Sequence, residues 1–253
     1  MTLINKSIDG FGIYQNKLVM KKPLAGKVDW NSFWKDPKVE SRETTKDTFL
    51  DNLIKLIDVF VAPNEVMSGL VLYKNDFKIL DLGCGDCVFL KRLIDHGYGN
   101  SVGLDLSFSG IVNKGFKTIQ GDVFSLPFRN ELFNGVVLLG LVDYFEGDDI
   151  SLILNEIDRI VKPPGFIFFT FANYSYVRRT IQNSLPKEEY EIFDKKEISY
   201  YYHTWIEILT SMKQWEMVCF FPTFNDNLDI IANEHTKVFL ADYDNVTVIF
   251  RKK

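Results

Sequence analysis

The chain has 253 residues, of which 46% are apolar and 25% charged, as in a globular protein with one substantial core. Its 34 acidic and 29 basic residues give a net charge of −5, which argues against a broad electrostatic attraction to nucleic acid or anionic lipid. Three cysteines, no secretory leader pattern and no apolar run of about 18 residues predict a cytoplasmic protein that does not span a membrane.

The first 73 residues are predicted to form an arm and helices that act as a lid or cap. The arm mixes Pro, Gly and Lys with Trp30, Phe33 and Trp34, which is typical of an extended segment whose aromatic side chains dock elsewhere. From residue 41, apolar side chains recur every three or four positions until a proline ends the pattern. This spacing predicts an amphipathic helix.

From about residue 74 to residue 253 the chain is predicted to form an α/β core. Unbroken apolar strands alternate with helical patterns, as in a parallel sheet that is covered by helices on both faces. A loosely patterned insertion at about 174–203 is predicted to act as a second lid. Strands are predicted at 77–82, 101–107, 117–124, 133–142, 165–173, 215–224 and 245–252, and helices at 65–73, 88–97, 148–162 and 204–212.

Residues 78–93, KILDLGCGDCVFLKRL, predict a glycine-rich turn between a strand and a helix. Such a turn lets a ligand approach the backbone N–H groups at the start of the helix. Gly83 and Gly85 provide this access, but the third glycine of a dinucleotide fingerprint is replaced by Val88, which weakens that interpretation.

The same turn carries a second possible chemistry in Cys84 and Cys87, which have the C-x-x-C spacing of a redox pair at a helix start. A redox pair has no use for Asp81 or for the flanking glycines, so this interpretation is the less favoured one. No metal site is predicted, because Cys219 is isolated and no further Cys or His pair completes a zinc ligand set.

Two acidic residues at later strand ends favour a nucleoside ligand. Asp105 ends the second strand of the core at the distance from the glycine turn that is typical of a ribose-binding carboxylate. Asp122 follows the third strand, where it can accept a hydrogen bond from an adenine amino group while Val123 or Phe124 packs on the ring. The alternative is a purely structural role, in which each aspartate only caps the helix that follows it.

Five segments occur in the order and spacing of the motifs of class I S-adenosylmethionine-dependent methyltransferases: ILDLGCGDC, GLDLS, GDVFSLPF, FNGVVLLGLVDYF and IDRIVKPPGFIFFTFAN. Residues 77–173 most closely resemble the small-molecule methyltransferases of type 11. The resemblance implies a Rossmann-like, seven-stranded sheet whose last strand is antiparallel. It also implies that the methyl donor lies across the tips of the first, second and fourth strands.

The resemblance assigns a role in binding S-adenosylmethionine to nine residues. The positions around the turn hold the methionine part, the second strand holds the ribose, and the third and fourth strands hold the adenine and one wall of the pocket. Cys87 departs from the pattern, because the family usually carries glycine there, and its Cβ narrows the turn. The nine residues are Asp81, Gly83, Cys84, Gly85, Asp105, Leu106, Asp122, Val123 and Leu139.

The acceptor is predicted to be a small molecule, aromatic or apolar, that is methylated on O, N or C under an aromatic lid. Methyl transfer from a sulfonium needs alignment of donor and acceptor and the exclusion of water, and a general base is optional. Tyr144 and His203 are the candidate catalytic residues, although either can be a packing or helix-flanking residue. The aromatic arm residues can likewise be core residues.

Two other functions stay open. The first is a non-catalytic partner or sensor that binds S-adenosylmethionine on a methyltransferase fold. The second, a nucleic-acid methyltransferase, is disfavoured by the net acidity and by GLVDYF in place of an Asn-Pro-Pro-Tyr type motif after the fourth strand.

Overall fold

The computed structural model describes an amino-terminal hairpin, a short helix and an α/β core. The residues described are 11–14, 17–20, 29–35, 50–59, 74–112, 114–145, 147–172, 211–223 and 245–253. The strands are β1 (Phe11–Tyr14), β2 (Lys17–Met20), β3 (Ile79–Leu82), β4 (Val102–Asp105), β5 (Thr118–Gln120), β6 (Phe133–Leu138), β7 (Val161–Ala172), β8 (Trp215–Thr223) and β9 (Asn245–Lys252). The helices are α1 (Trp30–Phe33), α2 (residues 50–59), α3 (Val88–Asp95), α4 (Phe108–Ile111) and α5 (Gly147–Ile160).

The core is a seven-stranded sheet in the order β5-β4-β3-β6-β7-β9-β8. Adjacent strands from β5 to β7 pair in parallel, whereas β9 is antiparallel to both of its neighbours, β7 and β8. The strand order reverses between β3 and β6. Because ligands in such sheets bind beyond the carboxyl ends of the strands at the point of reversal, the topology places a site next to the turn after β3. The predicted α/β fold with an antiparallel last strand is confirmed.

The centre of the sheet is buried because β3 and β6 are largely apolar on both faces. All four residues of β3 are buried, including Asp81 at 3% exposure. On one side, α3 buries Phe89, Leu90 and Leu93, and α5 supplies Ile153 and other apolar residues to the cluster on the opposite side.

Helix α2 confirms the periodicity seen in the sequence, since Leu50, Leu53, Ile54 and Ile57 are all buried. These side chains share one apolar cluster with residues of the central strands. The described part of this predicted cap therefore packs directly on the core of the sheet.

Several expectations differ from the structure or lie beyond it. The arm contains the hairpin β1–β2, with Tyr14 paired to Lys17, which the sequence reading missed. The predicted helix at 65–73, the insertion at 174–203 and most of the helix at 204–212 lie outside the described residues. Within the described ranges, no helix has both the length and the apolar character needed to cross a membrane.

Candidate active site

The turn after β3 is fixed to the tip of β4 by backbone hydrogen bonds. The N–H groups of Gly83 and Cys84 both donate to the carbonyl of Leu104, at 2.8 and 3.1 Å. Gly83 has a φ of +78°, and a Cβ placed on it would lie 2.9 Å from a methyl carbon of Leu141. The turn therefore needs glycine at this position, for its backbone conformation and for its close approach to the tip of β6.

Asp105 connects the turn after β3 with the segment that follows β4. Its Oδ2 accepts a 2.8 Å hydrogen bond from the N–H of Gly85, and its Oδ1 accepts one of the same length from the N–H of Ser107. Each carboxylate oxygen keeps a further acceptor direction, which suits a ribose diol. Burial raises the pKa of Asp105. A purely structural role would make Asp105 the N-cap of α4. The N-cap is instead Ser107, whose Oγ accepts from the N–H of Gly110.

Asp81 is a buried carboxylate under the same turn. The N–H of Leu90 is hydrogen bonded to it, whereas its Oδ2 has no hydrogen-bond partner among the described residues. Burial, followed by the nearby charges of Asp105 and Asp86, raises the pKa of Asp81 to about 7. An unpaired buried carboxylate oxygen fits a cationic ligand, because an opposite charge offsets the cost of desolvation.

The tips of β4 and β5 form the side of the crevice that was predicted to hold an adenine. Leu106 is 53% exposed, and its carbonyl accepts from the side-chain amide of Gln120. Asp122 is exposed and its Oδ1 accepts from the N–H of Phe124 at 3.0 Å, while Val123 is buried. The arrangement offers a polar acceptor beside an exposed apolar surface, which suits the edge and the face of a base.

The tip of β6 carries Leu139 and Tyr144. Leu139 is half-buried against the apolar cluster of the sheet. Tyr144 ends a 3-10 turn over 142–144, and its ring meets the ring of Trp30 edge to face, with centroids 4.9 Å apart. The structure thus brings Tyr144 to the tip of β6, beside an aromatic residue of the arm. His203, the other candidate catalytic residue, lies outside the described residues.

The cysteine pair of the turn is a packing feature. Cys84 and Cys87 are both buried, and their sulfur atoms lie 3.9 Å apart. The hydrogen bond from Cys87 and burial raise the pKa of Cys84, so its thiol is a poor nucleophile. A Cβ on Gly103 of β4 would lie 2.7 Å from the sulfur of Cys84, which places that sulfur firmly against the strand. Among the residues described, no cluster of metal-ligating side chains occurs.

Sequence reasoning missed the polar contacts of α1. Asn31 of this helix accepts hydrogen bonds from Ser107 and Ser109, which lie beside the tip of β4. The only local signal is the pair Asp29 and Ser32, which forms the helix cap. Such a cap predicts where a helix begins, but it does not predict where the helix docks.

Comparison with known proteins points to one class. Residues 80–169 match the model of a methyltransferase domain. A curated but uncharacterised protein of Methanocaldococcus jannaschii is 28% identical over 142 residues, which are 54% of this chain and 51% of that protein. The matched part of the chain thus spans about half the length of this relative.

Two solved structures share the fold. One is the N-methyltransferase NodS of Bradyrhizobium japonicum with S-adenosylhomocysteine, at 13% identity and a TM-score of 0.56, covering 88% of this chain and 98% of that one. The other is the 1,6-didemethyltoxoflavin-N1-methyltransferase of Burkholderia thailandensis with its substrate and S-adenosylhomocysteine, at 13% identity and a TM-score of 0.57, covering 95% and 97%. The chain thus matches a methyltransferase domain over residues 80–169 and shares its fold with S-adenosylmethionine-dependent methyltransferases.

Proposed function

We propose that the protein transfers the methyl group of S-adenosylmethionine to a small-molecule acceptor. The proposal rests above all on the junction at the tips of β3 and β4, where Asp105 accepts from the N–H of Gly85 and Asp81 keeps an unpaired oxygen below the same turn. We assign one carboxylate to a sugar diol and the other to a positive charge, at the ends of two adjacent strands. S-adenosylmethionine carries both groups, and the matched methyltransferase domain supports it as the ligand.

We assign the donor to the residues implied by the sequence at this edge of the sheet. We assign the ribose to Asp105 and the adenine to Leu106, Asp122 and Val123. When bound, S-adenosylmethionine supplies an electrophilic methyl group on a sulfonium. The methionine part is assigned to the turn and the wall of the pocket to β6, through Asp81, Gly83, Cys84, Gly85 and Leu139.

The acceptor is proposed to lie beside Trp30 and Tyr144. Paired aromatic rings exclude water and favour a flat or apolar acceptor, and exclusion of water protects an in-line displacement from competing reactions. Two structural neighbours are N-methyltransferases, and one of these holds 1,6-didemethyltoxoflavin, which supports a small-molecule acceptor for this chain. Alignment of acceptor and donor is the largest contribution that the protein makes to such a reaction.

The donor site is tested by calorimetric titration of the full chain with S-adenosylmethionine and S-adenosylhomocysteine. We expect micromolar binding of both ligands and a loss of about 100-fold or more in Asp105→Ala, because the ribose loses its acceptor. Asp95→Ala is the matched control, since this exposed carboxylate pairs within α3 with Lys91 and has no other ion pair among the described residues. Unchanged affinity in Asp105→Ala would refute the ribose assignment.

Tyr144 and His203 are proposed as residues that handle the acceptor. If Tyr144 holds or accepts the acceptor's proton, Tyr144→Phe lowers kcat while donor affinity stays within about twofold of wild type. If its ring only packs against Trp30, Tyr144→Phe leaves kcat unchanged. His203→Gln tests the second residue in the same way.

A donor-binding protein without turnover is the alternative. Cys87, which stands where the family usually has glycine and has a left-handed φ of +67°, is the feature that leaves this alternative open. Incubation with radiolabelled S-adenosylmethionine and fractionated metabolites separates the two, because only an enzyme moves the label to an acceptor. Bulk RNA and DNA are included as acceptors and are expected to stay unlabelled.

A further inference from the structure

Helix α1 is too short to be stable by itself, and it is held by contacts with distant parts of the chain. Asp29 caps it, accepting from the N–H and the hydroxyl of Ser32 at 3.2 and 2.5 Å. We call residues 29–35 the strap. The position of the strap is therefore set by tertiary contacts and not by helix propensity.

Asn31 makes polar contacts between the strap and the start of α4, which follows β4. Its Oδ1 accepts from the hydroxyl of Ser107 at 3.1 Å and from the N–H of Ser109 at 3.0 Å. The N–H of Ser107 in turn donates to Oδ1 of Asp105, whose Oδ2 accepts from Gly85. Ser107 therefore links Asn31, through its hydroxyl, to the carboxylate that we assign to the ribose, through its backbone N–H.

At the other end of the strap, the indole ring of Trp34 packs against Gly85 and Gly110. A Cβ on Gly85 would lie 2.2 Å from the indole ring, and a Cβ on Gly110 would lie 3.2 Å from it. Trp30 meets Tyr144 at the tip of β6. The strap thus contacts the segments that follow β3, β4 and β6, the three strand tips between which the donor is proposed to lie.

We propose that the strap closes the donor crevice and that Asn31 is the positioning residue that couples its docking to Asp105. The inference rests on the proposed function, since it assumes that the donor binds at Asp105. Asn31 acts through Ser107 and does not touch the donor. Because coupling between two binding events is reciprocal, a docked strap strengthens donor binding and a bound donor strengthens strap docking by the same factor.

The test compares Asn31→Ala, Asn31→Asp and Lys35→Ala in the full chain. In Asn31→Ala we expect the affinity for S-adenosylhomocysteine to fall about 5- to 50-fold and its dissociation to become faster. Asn31→Asp keeps an oxygen that accepts both hydrogen bonds, so it is expected to stay within about threefold of wild type. Lys35→Ala, an exposed position on the strap, is expected to behave as wild type.

A second measurement separates coupling from a general loss of structure. Hydrogen exchange of residues 29–35 is expected to slow on addition of S-adenosylhomocysteine in wild type and Asn31→Asp, and to change little in Asn31→Ala. Circular dichroism and the melting temperature without ligand check that each variant is folded. Equal ligand-induced protection in wild type and Asn31→Ala overturns the inference.

The outcomes also separate this inference from the proposed function. Loss of binding in Asp105→Ala with unchanged binding in Asn31→Ala overturns the coupling and leaves the donor site intact. Unchanged binding in Asp105→Ala overturns the donor site itself, and the coupling with it.

Discussion

The indole ring of Trp34 lies against the backbone of Gly85, so close that a Cβ on the glycine would be 2.2 Å from it. The contact joins a residue of the arm to a turn of the core 51 positions later, and it uses the one residue type that leaves room for the ring. Gly85 also donates its N–H to Asp105. A substitution here therefore affects the strap and the donor site together.

Gly85→Ala is expected to destabilise the protein by roughly 3 kcal/mol, from a left-handed φ and a clash with Trp34. Gly115→Ala is the matched control, since Gly115 also has a positive φ but nothing lies within 4 Å of its added Cβ, so only about 1 kcal/mol is expected. Urea unfolding measures both. If Trp34→Ala fails to recover part of the loss in the double variant, the clash is not its cause.

Asp81 predicts a pH dependence of stability. Its pKa is raised in the folded protein from 3.8 to about 7, so its contribution to stability is fully present below pH 4 and is lost as the pH rises through 7. Asp81→Asn removes this dependence. Its free energy of unfolding is expected to increase relative to that of wild type as the pH rises, by on the order of 3 kcal/mol near pH 8. Urea unfolding at pH 5 and pH 8 measures the difference. An equal effect of the substitution at both pH values would contradict the prediction.

Donor binding is expected to follow the same ionisation. A cationic donor favours the ionised form of Asp81, so affinity for S-adenosylmethionine is expected to fall about tenfold from pH 8 to pH 6. In Asp81→Asn binding is weaker at pH 8, and this fall is reduced. Calorimetry of both proteins in one buffer series checks this, and the comparison cancels the titration of the ligand itself. Parallel pH profiles would exclude Asp81 as the group responsible.

Arg159 is expected to hold the loop that follows Asp122. Its guanidinium donates to the carbonyls of Leu126 and Phe128 at 2.9 and 2.6 Å, and it pairs with Glu156, which itself accepts from the N–H of Leu126. Arg159→Ala is expected to cost roughly 2 kcal/mol of stability and to weaken donor binding several-fold.

Arg159→Lys serves as the comparison for this loop. A lysine lacks the planar fork that reaches two carbonyls and a carboxylate together, so it is expected to restore only part of the loss. Unfolding and calorimetry measure the two effects. Full recovery by lysine would show that charge alone holds the loop.

Substitutions of Cys87 test the effect of a cysteine at a position where the family usually carries glycine. Its left-handed φ disfavours any residue with a Cβ, whereas its buried sulfur packs against the turn. Cys87→Ala keeps the strain and loses the packing, while Cys87→Gly loses both. We expect Cys87→Gly to be at least as stable as Cys87→Ala in thermal unfolding, despite the larger chain entropy of glycine. An alanine variant that is clearly more stable would show that the turn is not strained.

The regular alternation of the core was predictable because the central strands are largely apolar on both faces and the long helices have an amphipathic period. The position of Asp105 followed from its place at a strand end, whereas Asp81, which lies within β3, was implied by the family resemblance. The antiparallel last strand was implied by the family resemblance, whereas its insertion between β7 and β8 was not predicted, because local periodicity does not encode strand order.

The contacts of the arm were the part that could not be predicted. Asn31 and Ser107 lie 76 positions apart, and although Ser107 ends the motif GLDLS, Asn31 belongs to no motif. The hairpin β1–β2 was missed because the Pro, Gly and Lys content further along the arm dominated its interpretation. Residues whose role depends on one long-range contact leave no periodic trace in a single sequence.

The placement of β9 has a consequence for biosynthesis. The ribosome makes this strand after all of the others, yet it pairs along its whole length with a neighbour on either side. Until it emerges, two apolar strand edges stand open to other chains. A nascent or truncated polypeptide that lacks residues 245–252 is therefore prone to intermolecular aggregation. Pairing of β9 with β7 and β8 covers both edges and removes this risk.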